Sequence, residues 1–243
     1  MTSGDAPRTF FATTRWTLVC DAAGGGDVRA LEALGDLFRS YWPPLYRYAR
    51  RRGKSREDAE DLVQGFFVHL MEAGALRHTD RGKGRFRAFL LASFNHWMIN
   101  EWKHGLRQKR GGGAPVISFD WESAETGLKL EIADERSPDR LYDREWALTL
   151  LDKVLADLER GCHEEGNAGQ FERLKPCLTA DSARIPYPEL AAELGMSEGA
   201  MRVAIHRLRK RYRGLLNAEI ARTLSTPDAV EEEMRALFAV LAG

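Results

Sequence analysis

Hydrophobic positions along this chain recur at intervals of three and four, and no stretch keeps up an alternation of two. A 3.6-residue period returns side chains to one face every third or fourth position, so the spacing predicts helices rather than a sheet. The one β-flavoured run, Val116 to Phe119, is short. In the first part, helices are expected over Val28 to Tyr41, Leu45 to Arg52, Glu57 to Met71 and Phe86 to Lys103, set apart by G-G-G, P-P, R-G-K-S and D-R-G-K-G breakers. A second helical unit opens near Pro138, with Trp146, Leu150, Leu151, Val154, Leu155 and Leu158 as its apolar stripe. Glycines between Gly161 and Gly169 interrupt it, and Phe171 to Leu178 leads onward. A last helix is signalled by Thr226-Pro227-Asp228 and carries Val230, Met234, Leu237, Phe238 and Leu241 on one side. Between the two units, G-G-G at 111–113, Pro115, Pro138 and the acidic run Glu131 to Asp139 read as a long linker. The expected fold is all-α: two helical domains, 14–104 and 140–216, joined by a flexible linker, 105–139, and followed by a C-terminal extension, 217–243.

Tyr187 to Tyr212 has the pattern of a helix-turn-helix. Leu190, Ala191 and Leu194 make one side of a short first helix, Gly195 suits a tight turn, and Ser197 stands where an N-cap belongs. Met201, Ala204, Ile205 and Leu208 then recur at i, i+3, i+4 and i+7, which leaves Arg202, Val203, His206 and Arg207 facing outward. Six of the twelve residues from Arg202 to Arg213 are Lys or Arg. Arg202, His206 and Arg207 fall where base edges in a major groove are reached; Arg209, Lys210, Arg211 and Arg213 suit phosphates.

Charge changes the picture further. The chain has 36 basic and 36 acidic residues, yet the sum of zero conceals segregation. Residues 1–110 carry 19 basic and 12 acidic groups, 111–183 carry 8 and 16, 184–216 carry 7 and 3, and 217–243 carry 2 and 5. Two basic blocks separated by an acidic one suit a protein that grips a polyanion at two places. With 243 residues there is room for one or two domains with real cores. No window is apolar enough to span a membrane, and M-T-S-G-D-A-P is unlike a secretory leader, so a cytoplasmic protein is expected. Cys20, Cys162 and Cys177 are odd in number and irregularly spaced, which fits reduced thiols; Cys162, His163 and Cys177 lack the spacing of a metal site, and none is expected.

Two more constellations stand out. Ser55-Arg56-Glu57-Asp58 resembles a capping box opening a helix whose core side is Ala59, Leu62, Val63, Phe66, Phe67 and Leu70. Asp58, Asp61 and Gln64 are left on a ridge, which on spacing alone reads as a solvated acidic face at a helix N-terminus; a metal-binding nuclease site would need further carboxylates converging from elsewhere, and the sequence shows no such pattern. In the next helix Phe86, Phe89, Leu90, Phe94 and Trp97 read as core, whereas Asn95, Asn100 and Lys103 do not. Arg81, Lys83, Arg85 and Arg87 lie in or beside the glycine-containing loop before it, placed to hold a phosphate backbone or an extruded nucleotide. The run Lys103 to Arg110 either extends that surface or is a flexible basic tail. No nucleotide-binding glycine loop, zinc-protease motif or nucleophile elbow occurs, so no catalytic residue and no cofactor is expected.

The order of D-A-E-D-L-V-Q, then F-x-x-F-L-x-x-x-x-N, then a linker, then E-L-A-A-E-L-G-M-S-E-G-A-M-R-V-A-I-H-R-L-R resembles an RNA polymerase sigma factor of the extracytoplasmic-function group, in a branch with a C-terminal extension. The resemblance implies an alternative sigma factor, with core RNA polymerase and promoter DNA as partners and an anti-sigma protein as a possible further one. By it, Asp58, Asp61 and Gln64 dock on the polymerase clamp helices. Arg81, Lys83, Arg85, Asn95, Asn100 and Lys103 bind and open the minus-ten element. Arg202, Val203, His206 and Arg207 read the minus-thirty-five element, with Arg209 and Lys210 on its phosphates. The chain departs from the family's usual pattern with Ala88 in place of a tryptophan and Asn100 in place of an aspartate. The competing reading is a stand-alone helix-turn-helix regulator that never touches polymerase.

Overall fold

A computed structural model describes residues 28–72, 86–105, 121, 124, 137–224 and 229–242. Among these residues there are eight α-helices and no strand. In order they are α1 (Val28–Arg51), α2 (Arg56–Glu72), α3 (Phe86–Gly105), α4 (Pro138–Glu164), α5 (Ala168–Leu174), α6 (Tyr187–Glu193), α7 (Glu198–Ala221) and α8 (Val230–Ala242), with two short 3-10 turns between α5 and α6.

Helix α1 corrects the sequence reading, which breaks the chain at the proline pair: Pro43 and Pro44 lie inside one helix of 24 residues. A proline in a helix interior costs about 3 kcal/mol, because it donates no hydrogen bond and its ring crowds the carbonyl four residues back. Burial outweighs that cost. Tyr41, Trp42, Leu45, Tyr46 and Tyr48 are all buried around the pair, and each large apolar side chain removed from water contributes roughly 1.5–3 kcal/mol. Tyr41 meets the Phe86 ring edge-on at 5.2 Å and stacks on Trp146 at 6.3 Å, tying α1 to α3 and α4.

The other helices start where local chemistry places them. Ser55 Oγ accepts from the Asp58 N–H at 3.0 Å and opens α2, whose Ala59, Val63, Phe66, Phe67 and Leu70 are buried. Ser137 caps α4 by accepting from the Arg140 N–H at 3.4 Å, with Pro138 at the first helical position. Trp146, Leu150, Val154 and Leu158 of the expected stripe are buried, while Leu151 and Leu155 are half-buried.

Helix α4, 27 residues long, is the spine. Its first half lies on α1 in the most extensive helix–helix interface, and its second half packs on α5 and α7. A single buried cluster consequently runs from Phe38 on α1 through Phe94 on α3 and Trp146 on α4 to Ile220 on α7 and Leu237 on α8. A second cluster, around Met201 and Ile205, closes α6 on α7. Of the expected linker, Trp121 and Ala124 join the first cluster; most of it lies outside the described residues, as does Thr226-Pro227-Asp228. Helix α7 runs on past residue 216 to Ala221, so the C-terminal extension begins inside a helix.

Buried charge explains part of the segregation along the chain. Glu145 of α4, fully buried, is paired with Arg47 and, at 3.2 Å, with Arg51, both on α1. Arg87 of α3 pairs with Asp143 of α4 at 2.8 Å and with Glu233 of α8, and its guanidinium lies 4.6 Å from the Trp146 ring centre. Lys153 of α4 pairs with Glu219 of α7 at 3.0 Å. Some of the basic first block thus faces the acidic middle block inside the molecule, an internal use of charge that the sequence reading assigned wholly to a polyanion. Among the described residues no helix is long and apolar enough to cross a membrane.

Candidate nucleic-acid surfaces and acidic ridge

The turn between α6 and α7 forms as its residues dictate. Gly195 sits at φ +62°, a left-handed conformation that a side chain resists, and the Met196 N–H reaches back to the Ala191 carbonyl at 2.9 Å. Ser197 then caps α7 by accepting from the Ala200 N–H at 3.2 Å. Met201 and Ile205 are buried, and Arg202, Val203, His206 and Arg207 are exposed on the first turns of α7. Val203 and Arg207 also border a cleft of about 620 Å³ between α7 and the α4–α5 turn, opposite Asn167 and Gln170.

The basic side chains of α7 are not equivalent. Arg202 is bound to Glu198 at 2.6 Å and lies over the Tyr187 ring at 4.1 Å. Lys210 is exposed. Arg209, expected on a phosphate, instead gives its donors to the Cys177 carbonyl at 2.9 Å, the Ala180 carbonyl at 2.5 Å and Ser182 Oγ at 2.8 Å. It fastens the 3-10 turns to α7. Arg211 is paired with Glu165 at 2.8 Å.

On α3, Asn95 is half-buried and oriented: its Oδ1 accepts from the Tyr48 hydroxyl at 2.9 Å, which also lies 3.1 Å from Asp139 Oδ1. Burial pushes the Tyr48 phenol up, the Asn95 hydrogen bond opposing it, so the hydroxyl stays a donor at neutral pH. Asn100 is exposed. Arg81, Lys83 and Arg85 lie outside the described residues, and of Lys103 only the helical backbone is described.

The structure adds two residues the sequence reading passed over. Arg52 and Lys54, in the turn between α1 and α2, border a cleft of about 270 Å³ with Asn95, Met98 and Ile99. Gly53 holds that turn at φ +82°, and Arg50 donates to the Lys54 carbonyl at 2.6 Å. Three large apolar side chains stay exposed among the described residues: Ile99 at 50%, Val203 at 48% and Phe238 at 53%. The first belongs to this cleft and the second to the reading face of α7. The R-G-K-S run was visible as a breaker; its approach to α3 is a tertiary fact that no local pattern carries.

On α2, Asp58 and Asp61 are exposed and Gln64 is half-buried, so the three form the expected ridge; of the expected core side Ala59, Val63, Phe66, Phe67 and Leu70 are buried and Leu62 is half-buried. Cys162 and Cys177 are buried free thiols; burial pushes both up, with Arg211 and Arg209 respectively opposing, which keeps them protonated and poor nucleophiles. Among the described residues the metal-type donors that converge are Glu159, His163 and Glu172, within 4.8 Å of one another, rather than His163 with the two cysteines. Lys175 pairs with Glu159 at 3.3 Å. On α8, Leu237 is buried and Val230, Met234 and Leu241 pack against the main cluster, but Phe238 faces solvent, which corrects the expected stripe.

Comparison with known proteins bears on these surfaces. Residues 37–111 match the sigma-70 region 2 family, a stretch that takes in the acidic ridge, the α1–α2 turn and α3. The chain is 30% identical over 194 residues to the ECF RNA polymerase sigma factor ShbA of Streptomyces griseus, covering 76% of this chain and 87% of that protein. No solved structure matches the chain.

Proposed function

The chain belongs to the extracytoplasmic-function family of RNA polymerase sigma factors, and from that premise we propose that it binds core RNA polymerase through α2 and directs initiation by contacting a promoter through α3 and α7. The observation that carries the reading is the exposure, on one folded chain, of an acidic ridge on α2 and of two separate surfaces able to bind DNA. Asp58, Asp61 and Gln64 meet the polymerase, since their helix turns Ala59, Val63, Phe66, Phe67 and Leu70 into the core and leaves these three on the other side.

At the minus-ten element, Asn95 and Asn100 face an opened strand, with Arg81, Lys83, Arg85 and Lys103 as the basic surround. The Arg52–Lys54 turn joins them: two cations beside an exposed Ile99 and an oriented Asn95 suit an unstacked nucleotide, whose phosphate needs charge and whose base needs an apolar wall and an edge partner. At the minus-thirty-five element, Arg202, Val203, His206 and Arg207 reach base edges and Lys210 a phosphate. Arg209 serves the protein's own backbone. The polymerase performs the chemistry; this chain supplies binding and sequence choice.

Co-purification with core polymerase tests the docking face. Asp61→Arg replaces attraction with repulsion at an exposed position and Gln64→Ala removes a polar contact at a half-buried one, so the variant folds and loses core binding. Undiminished binding by the double variant would mean that the ridge is only a solvated face.

A further inference from the structure

We propose that Glu159, His163 and Glu172 bind a divalent transition-metal ion of the zinc type, which clips α5 to the end of α4. Glu159 and His163 stand four residues apart on α4, the spacing that sets two donor atoms side by side on one face of a helix. Glu172 comes across from α5. One oxygen of each carboxylate and one imidazole nitrogen all lie within 4.8 Å of one another. Among the described residues the His163 imidazole and the Glu172 carboxylate have no hydrogen-bond or ion-pair partner, so their lone pairs are open to an ion. Two carboxylates held this close repel each other, and the ammonium of Lys175, 3.3 Å from Glu159, answers only one of the two charges. A divalent ion balances both.

The donor set decides the kind of ion. An imidazole nitrogen with two carboxylate oxygens suits zinc and its neighbours, whereas calcium and magnesium take oxygen ligands throughout. A tetrahedral ion with donors at about 2.0–2.2 Å holds them roughly 3.4 Å apart, so the three side chains need close by no more than about 1.4 Å. His163 and Glu172 are exposed and Glu159 is half-buried, so packing leaves them that freedom. The Lys175–Glu159 pair is no barrier, since its side chains are 37% and 36% exposed and ion pairs in that setting are weak. Position then gives the site a consequence. Helix α5 has seven residues, too few to be stable alone. It sets Phe171 against Leu158 and Cys162 of α4, and Leu174 in the cluster with Met201 and Ile205, so it is the wedge between the spine and the helix-turn-helix. A metal on its exposed side adds a second tie to α4 and stabilises that unit by mass action. None of the three ligands is among the residues proposed to meet polymerase or DNA, so the site stands whether or not that reading holds.

The full chain, freed of metal by a chelator, is titrated with zinc chloride in a calorimeter, and its thermal unfolding is followed at each zinc concentration. One ion per chain is expected, with a dissociation constant below about 100 µM, and a melting temperature that rises as zinc is added. His163→Ala and Glu172→Gln are each expected to weaken zinc binding at least about tenfold. Lys175→Ala removes the competing ammonium and is expected to tighten it. Absence of zinc binding in that range overturns the site, and so does binding that none of the three substitutions changes, which would place the ion elsewhere on the chain. His163 and Glu172 are exposed, so their variants keep the fold; should one unfold, the other and Lys175→Ala still decide.

Discussion

Arg202 shows how a single side chain is held ready rather than fixed. Its exposed ion pair with Glu198 contributes about 0–1 kcal/mol and its position over Tyr187 about 0.5–1 kcal/mol. A bidentate contact to a base edge discriminates by about 1–3 kcal/mol, a range that reaches above the internal partners' sum, so those partners are no bar to the proposed base contact. Arg202→Ala is therefore expected to cost about 1–3 kcal/mol at the preferred minus-thirty-five sequence. Lys210→Ala is expected to weaken all duplexes alike and to lower the slope of log affinity against log salt by about one. Titrations against specific and random duplexes at several salt concentrations measure both, and equal losses on the two duplexes for Arg202→Ala would remove it from the reading set. Arg209, two residues after Arg207 on the same helix, carries the same charge and has its donors committed to Cys177, Ala180 and Ser182. Its sequence neighbourhood is that of a DNA contact; only its placement beside the 3-10 turns reveals the other role.

At the scale of elements, what local chemistry decides was legible and what packing decides was not. The α6–α7 turn follows from Gly195 and Ser197, the start of α2 from Ser55, and the start of α4 from Ser137-Pro138, all within a few residues of the features they produce. The proline pair misled because the rule for an isolated helix omits the aromatic residues buried around it. Phe238 misled for a related reason: helical spacing allows it on the apolar side, yet the stripe through Val230, Met234, Leu237 and Leu241 is the one that meets the core. The α1–α2 turn supplies the element's own prediction. Arg52→Ala with Lys54→Ala is expected to weaken binding of the assembled complex to forked DNA with an unpaired minus-ten strand, while leaving fully paired minus-thirty-five DNA unaffected. Fluorescence anisotropy with the two probes distinguishes this from a general loss of positive charge, which would weaken both equally.

For the whole molecule, the helical class and the run of helices could be read from periodicity, but the way the two halves meet could not. Nothing in the spacing of Trp146, Leu150 and Val154 says that their partners include Tyr41 on the first helix, about a hundred residues away. The same holds for charge. The count by segment shows two basic blocks and predicts a polyanion, whereas Glu145 on Arg47 and Arg51, and Glu233 on Arg87, show that part of the imbalance closes the molecule on itself. Cations on α7 and in the α1–α2 turn are left for the DNA contacts proposed above. The role proposed for this chain is to confer promoter choice on a polymerase, and run-off transcription on genomic fragments with purified core polymerase is its plainest test. Discrete transcripts are expected that appear only when the chain is added and that vanish with Asp61→Arg and Gln64→Ala. Specific duplex binding by the chain, with no core binding and no transcript, would contradict it and mark the protein as a stand-alone regulator.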